Sequence, residues 1–338
     1  LTSFELSIVT PTHGRKALLQ DMLASLRQQT LGPERFEVVV VIDGDTDSTA
    51  EMLSCVTFPY KLRHQTQGQS GPAAARNRGA QLAEGRVLLF LDDDLIVRPE
   101  CLEEHLRFHR LGSDAVVIGR LLAARGDKKP GWSVWEERVL EKHYAKMAVG
   151  RRPAAGRRLY SGNFSVSRAR FLRVRGFDES LMRGEDVELG FRLEQSGARF
   201  YFAPSAAVVH RGVRTFSSWC NSAYLYGVTD VALALERGHT DVLPEVLRWY
   251  HRQPAVTRMA VKLCAGRPAL RNPAVRALQA VAAGFFKARA HKLAHFAYSS
   301  IYKLQYWEGV AERLGGRAQL MRAVSESHRK PNLVKNPR

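Results

Sequence analysis

The 338 residues, 45% of them hydrophobic, suffice for one large domain or one domain with a substantial appendage, and they exclude wholesale disorder. The longest apolar runs, VLLFL and VVVVI, fall far short of the roughly 20 residues that a membrane-spanning helix needs, and the first residues lack the basic-then-apolar order of a secretion signal. The net charge of +18 is uneven, with 30 Lys/Arg against 26 Asp/Glu over residues 1–210, 21 against 7 over 211–338, and no acidic residue from Val246 to Trp307.

Short β-rich runs alternate with helical patterns through the first two hundred residues. The predicted strands are LSIVT (6–10), FEVVVVID (36–43), YKLRHQ (60–65), RVLLFLD (86–92), DAVVIGR (114–120), YSGNFSVS (160–167) and ARFYFAPSAAVVH (198–210). Such alternation predicts an α/β domain with a mostly parallel sheet. Between the first two strands, Leu18, Leu19, Met22, Leu23 and Leu26 recur at helical spacing. Ser48 followed by Glu51 reads as a capping box opening a second helix, and Gly71-Pro72 opens a third with proline at its first position. The segment GRRPAAGRR (150–158) reads as a mobile basic loop. From Thr215 onward helical patterns take over. Leu278, Val281, Ala282, Phe285 and Phe286 form an apolar stripe, Ile301, Tyr302, Leu304, Tyr306 and Trp307 an aromatic cluster, and the tail HRKPNLVKNPR is expected to fray. Cys55, Cys101, Cys220 and Cys264 form no C-x-x-C pair and are expected as buried free thiols.

The chemistry gathers at three adjacent aspartates, Asp92, Asp93 and Asp94, at the carboxyl end of a buried strand, where open parallel sheets bind ligands. Strand alternation puts Asp92 and Asp94 on one side and Asp93 on the other. Two hard carboxylates on one face suit Mg²⁺ or Mn²⁺; an Asp-rich turn capping the helix near Pro99 is the alternative. Asp43 ends a strand where a carboxylate can accept bonds from a base or ribose, or can build the turn before the next helix with Asp45 and Asp47. Glu185, Asp186 and Glu188 either complement a helix dipole or supply a base. A histidine ending an apolar strand, as His210 does, is a core residue or a ligand.

Taken in order, these motifs resemble the family 2 nucleotide-sugar glycosyltransferases of the GT-A fold over roughly residues 4–215. IVTPTHGRKALL (8–19) is similar to the strand and loop that wrap the nucleobase, so the resemblance implies donor contacts at Pro11, Thr12 and Arg15. VVVIDGDTDST (39–49) carries the nucleoside-contacting acid over to Asp43, and GPAAARNRGAQLAEG (71–85) carries the helix closing the nucleotide pocket, with Arg76 and Asn77. FLDDD supplies a D-x-D element in which Asp94 is the expected direct metal ligand, with Asp92 beside it and Asp93 toward the nucleotide. GEDVELGFRL (184–193) is similar to the family's E-D element, which makes Asp186 the catalytic base and Glu185 its neighbour. The resemblance further makes His210 a ligand for metal or diphosphate and Asn163 a sugar contact, beside Gly162, whose lack of a side chain permits close backbone approach. The second-strand motif departs from the family's D-D-G-S form as I-D-G-D, and the Q-x-x-R-W element of processive synthases is missing, since Arg248-Trp249 follows no glutamine at the required place.

The resulting expectation is a GT-A catalytic domain over 1–214 and a basic helical C-terminal region over 215–338. Its cofactor is Mn²⁺ or Mg²⁺, and it moves one sugar at a time, with inversion, from a nucleoside-diphosphate sugar to an acceptor hydroxyl. A nucleotidyltransferase of similar fold and a non-catalytic nucleic-acid-binding protein are the rivals. The basic region fits an anionic membrane surface, an acidic acceptor, or a helical cap joining two chains as a homodimer. A cytoplasmic protein, with peripheral attachment to the inner face of a membrane left open, is the expected location.

Overall fold

The computed structural model describes residues 4–112, 114–124 and 129–329; most of the tail expected to fray lies outside them. The chain divides into two units, Leu1–Asp127 with Glu137–Gly212, and Lys128–Glu136 with Val213–Arg338.

In the first unit the strands are β1 (Leu6–Thr12), β2 (Phe36–Asp43), β3 (Lys61–Gln67), β4 (Val87–Leu91), β5 (Leu95–Val97), β6 (Ala115–Ala123), β7 (Asn163–Ser167) and β8 (Arg199–His210). Among the described residues they form one sheet in the order β3-β2-β1-β4-β7-β6-β8-β5. From β3 to β4 every pairing is parallel, β7 runs antiparallel to both of its neighbours, β6 and β8 are parallel, and β5 pairs antiparallel with the end of β8. The sheet is thus parallel in one half and mixed in the other. The helices are α1 (Lys16–Ser25), α2 (Thr49–Cys55), α3 (Pro72–Leu82), α4 (Cys101–His109), α6 (Arg168–Arg173) and α7 (Glu185–Gln195), while α5 (Gly131–Ala148) has its first residues, to Glu136, in the second unit. Strands buried on both faces explain the unbroken apolar runs. Along β4, Leu89 and Leu91 join a core with Leu19, Met22 and Leu23 of α1, while Leu88 and Phe90 join another with Phe164, Phe171 and Leu189.

Two local readings change. Ser48 sits at φ 58° and makes no capping bond, because side-chain capping needs extended backbone at that position. Asp45 caps α2 instead, accepting from the amides of Thr49 at 2.8 Å and Ala50 at 3.2 Å. The basic segment 150–158 is anchored: it ends in a 3-10 turn, Gly156–Arg158, whose Gly156 is buried against α7. A Cβ there would lie 2.2 Å from the Gly190 carbonyl oxygen, and the Gly156 amide donates to Glu194 at 2.8 Å. Cys55 is exposed, whereas the other three cysteines are buried.

The second unit contains α8 (Phe216–Glu236), α9 (Val242–His251), α10 (Ala255–Cys264), α11 (Pro268–Lys287), α12 (His291–Arg313) and α13 (Arg317–Arg329). α8 and α12 meet backbone to backbone at Gly227 and Gly309, where an added Cβ would stand 2.0 Å from a carbonyl oxygen of the facing helix. Trp219, Ile301, Leu304 and Trp307 fill the surrounding core. In the stripe read on α11, Ala282 is buried but Val281 is 48% exposed. Glu308, one of the few acids of this unit, is buried with Arg271 at 2.5 Å and accepts from the Gly266 amide at 2.8 Å. Among the described residues no helix is long and apolar enough to cross a membrane.

Candidate active site

β4 ends at Leu91, so the aspartate trio lies in the turn between β4 and β5 and strand alternation does not sort it. The grouping differs from the expected pairing of Asp92 with Asp94: Asp93 and Asp94 share one cation, since Arg15 Nη1 is 3.1 Å from each, while Asp92 turns to Arg76 at 2.7 Å. Asp93 also accepts from the Thr12 hydroxyl at 2.8 Å. Burial pushes the Asp93 carboxyl up to about 6 against the pull of Arg15 and Thr12. Asp94 is buried too, yet His210 and Arg15 together hold it below the usual carboxylate range. His210 Nε2 stands 3.4 Å from Asp94 Oδ2, and Asp94 Oδ1 is buried with no hydrogen-bond partner. The short β5–β8 pairing, Leu95 opposite His210, brings this histidine to the trio. Gly212 completes the corner, because a Cβ there would fall 2.2 Å from Asp94 Oδ2.

Arg76 of α3 is buried and serves two acids at once, with Nη2 on Asp92 and Nη1 on Glu185 at 3.2 Å. Its guanidinium also lies over the Phe177 ring, 5.6 Å from the centroid. Glu185 is thus paired directly with Arg76, whereas Asp186 is held by backbone amides. The Asp186 carboxylate accepts from two backbone amides, Val187 at 2.8 Å and Ser161 at 3.3 Å. Burial, then the Glu185 charge beside it, pushes Asp186 up to about 6, with Arg183 pulling the other way. The contrary pull of the helix start, where a positive dipole end favours an anion, does not prevail. The next residue, Gly162, backs onto the trio: a Cβ there would lie 2.7 Å from Asp92 Oδ2. One guanidinium and one two-residue strap thus bind the Glu185-Asp186 pair to the aspartate turn.

The family model described as Glycosyl transferase family 2 matches residues 7–179, just over half of the chain. The chain belongs to that family. Validoxylamine A glucosyltransferase of Streptomyces hygroscopicus subsp. limoneus is 32% identical over 218 residues, 57% of this chain and 48% of the relative. Poly(ribitol-phosphate) beta-glucosyltransferase of Bacillus spizizenii is 30% identical over 129 residues, 37% of this chain and 20% of that one. This family 2 chain spans about half the length, or less, of these curated relatives. Among solved structures, S. aureus TarS 1-349 superimposes with a TM-score of 0.56 at 19% identity, covering 88% of this chain and 91% of TarS 1-349. That likeness concerns the fold, the GT-A type α/β sheet followed by helices.

Thr12, Arg15, Asp92, Asp93, Asp94 and Arg76, within the matched residues, and Glu185, Asp186 and His210, beyond them, come together through the contacts above. Three expected contacts are directed elsewhere. Asp43 accepts from the amides of Ser70 and Gly71 and from Gln67, all within 3.0 Å, and so fixes the loop before α3. Asn77 holds the 177–179 segment through Phe177 and Glu179. Asn163 is fully buried, bonded to His105 at 2.9 Å and to the Ala206 carbonyl at 3.0 Å. Pro11 is buried in β1 opposite Val41. Gly212 escapes sequence reading altogether, since a glycine just after a strand is an ordinary loop residue until the fold brings Asp94 against it.

Proposed function

We propose that this family 2 glycosyltransferase moves one sugar at a time from a nucleoside-diphosphate sugar to an acceptor hydroxyl, with inversion, and that Asp186 is the base. One observation carries the reading: Asp186, its carboxyl raised to about 6, is tied through Arg76 and the Ser161-Gly162 strap to a turn of three aspartates. A base near the operating pH can take a proton without holding it too tightly. Asp186 removes the proton of the acceptor hydroxyl, whose oxygen forms the new bond at the anomeric carbon as the bond to the diphosphate breaks. The nucleoside diphosphate leaves with that electron pair. Arg76 pairs with Glu185, and Arg15 steadies Asp93 and Asp94.

The donor set fits Mn²⁺ or Mg²⁺, with Asp94 and His210 as holders and Asp92 beside them. Asp94 Oδ1 is a buried carboxylate oxygen without a partner, and carboxylate oxygens are the ligands that such ions take. Among the described residues no three His, Cys, Asp or Glu side chains group as a ready-made metal site, so phosphate oxygens of a bound donor would have to supply further ligands. A bound ion would offset charge developing on the departing diphosphate.

The glucosyltransferase relatives and the TarS complexes with UDP and UDP-GlcNAc make uridine diphosphate sugars the first donors to test. Nucleoside diphosphate release from UDP-glucose and UDP-GlcNAc, with and without Mn²⁺, measures the activity. A thermal-shift series over uridine, guanosine and thymidine sugars measures binding. No shift with any of them removes the donor class, and wild-type turnover in Asp186→Asn removes the base.

A further inference from the structure

The helical unit carries a surface that its own packing does not explain. α10 turns Thr257, Val261 and Cys264 inward. On its other side Val256, Met259 and Leu263 are 63, 61 and 51% exposed. Their i, i+3, i+7 spacing makes one continuous stripe, and a helix apolar on both faces is ordinarily covered on both. α11 and α12, which pack with α10 and with each other, add Val281, Leu293 and Phe296, each about half exposed. From Val246 to Trp307 there is no acidic side chain, while Arg252, Lys262, Arg267, Arg276, Lys287 and Lys292 are all exposed.

Three occupants compete for this surface, and charge and chemistry separate them. A second copy meeting through the same patch would set these cations against themselves with no acid to pair them. A nucleic acid or another polyanion would satisfy the cations, but it rewards stacking platforms and gains nothing from a stripe of valine, methionine and leucine. An anionic bilayer uses both features, since it takes aliphatic side chains into the boundary between headgroups and acyl chains and draws basic residues to lipid phosphates. We propose that the α10–α12 surface docks on an anionic phospholipid bilayer.

Sedimentation of the full chain with vesicles tests this. With phosphatidylcholine alone the protein stays in the supernatant; with phosphatidylglycerol added it pellets, less so as salt rises. Combining Val256→Ser, Met259→Ser and Leu263→Ser lowers partitioning by about tenfold or more, because each side chain loses its apolar gain. Lys262→Glu with Arg267→Glu lowers it by roughly fivefold or more per residue. These positions are exposed, so circular dichroism and melting temperature stay as in the wild type. The proposal is overturned if the chain ignores phosphatidylglycerol vesicles, or if the triple serine variant pellets like the wild type, which leaves charge alone as the cause. It is also overturned if sedimentation velocity reveals a dimer that the triple variant abolishes, which gives the stripe to a second copy. The inference stands on the helical unit and is separable from sugar transfer, because Asp186→Asn pellets like the wild type whatever its turnover.

Discussion

The two units solve the problem of charge in opposite ways. The sheet unit buries acids and meets them with arginines one at a time: Arg15 for Asp93 and Asp94, Arg76 for Asp92 and Glu185. The helical unit has almost no acids to meet, and its buried Glu308 is matched by Arg271 and a backbone amide. Burying an ion is costly unless it is paired. In the sheet unit Asp186 has a raised pKa and Asp94 a buried oxygen without a hydrogen-bond partner. The proposed mechanism draws on these two acids, whereas Glu308, paired on both sides, belongs to the packing of the helical unit.

Substitutions should separate these two kinds of acid. The largest effect belongs to Asp186→Asn, for which turnover falls by about 10²–10⁴-fold while the donor still raises the melting temperature. An unchanged rate would place Asp186 with the scaffold acids. Asp94→Ala comes next: the Mn²⁺-dependent part of the donor thermal shift disappears, and titration of the variant with Mn²⁺ checks it. Arg76→Ala strands two acids and destabilises the fold by about 3–5 kcal/mol, read by urea unfolding. In the helical unit, Glu308→Gln leaves Arg271 without its counter-charge and costs about 1–3 kcal/mol, while turnover per folded molecule stays at the wild-type level.

The pH profile sharpens the same contrast by the smallest margin. On the proposed mechanism Asp186 accepts a proton in its ionised form, so kcat/KM is expected to decline as pH drops through about 6. Its effect on stability has the opposite sign. A carboxyl whose folded pKa is raised binds its proton more readily when folded, so this residue favours the fold as pH falls from neutrality toward 4 and opposes it above 6. Asp186→Asn should therefore raise the melting temperature at pH 7.5 and remove that residue's share of the pH dependence.

Much of the sheet was legible because buried strands announce themselves. FEVVVVID is β2 to the residue, and Gly71-Pro72 opens α3 as its backbone chemistry requires. What escaped depended on long-range contact. β5 is only three residues long and owes its existence to pairing with β8, more than a hundred residues away. The orientation of Asp92, Asp93 and Asp94 could not be read, because alternation fails one residue beyond Leu91 and arginines from α3 and the β1–α1 loop decide it. Asn163 looked available for a ligand, yet its amide is consumed by His105 and the Ala206 carbonyl, partners that no local pattern announces. The Val281 stripe was legible as apolar but not as exposed, since periodicity reports a face and not what covers it.

Arg76 has a consequence for mutational mapping of this family 2 chain. With one planar group gripping a member of each acid cluster, damage at either end is transmitted to the other. Replacing it is expected to lower turnover through the lost ion pairs with Asp92 and Glu185, so activity alone does not separate that effect from a lost donor contact. A lysine, one point charge where a fork is required, should fare little better than alanine.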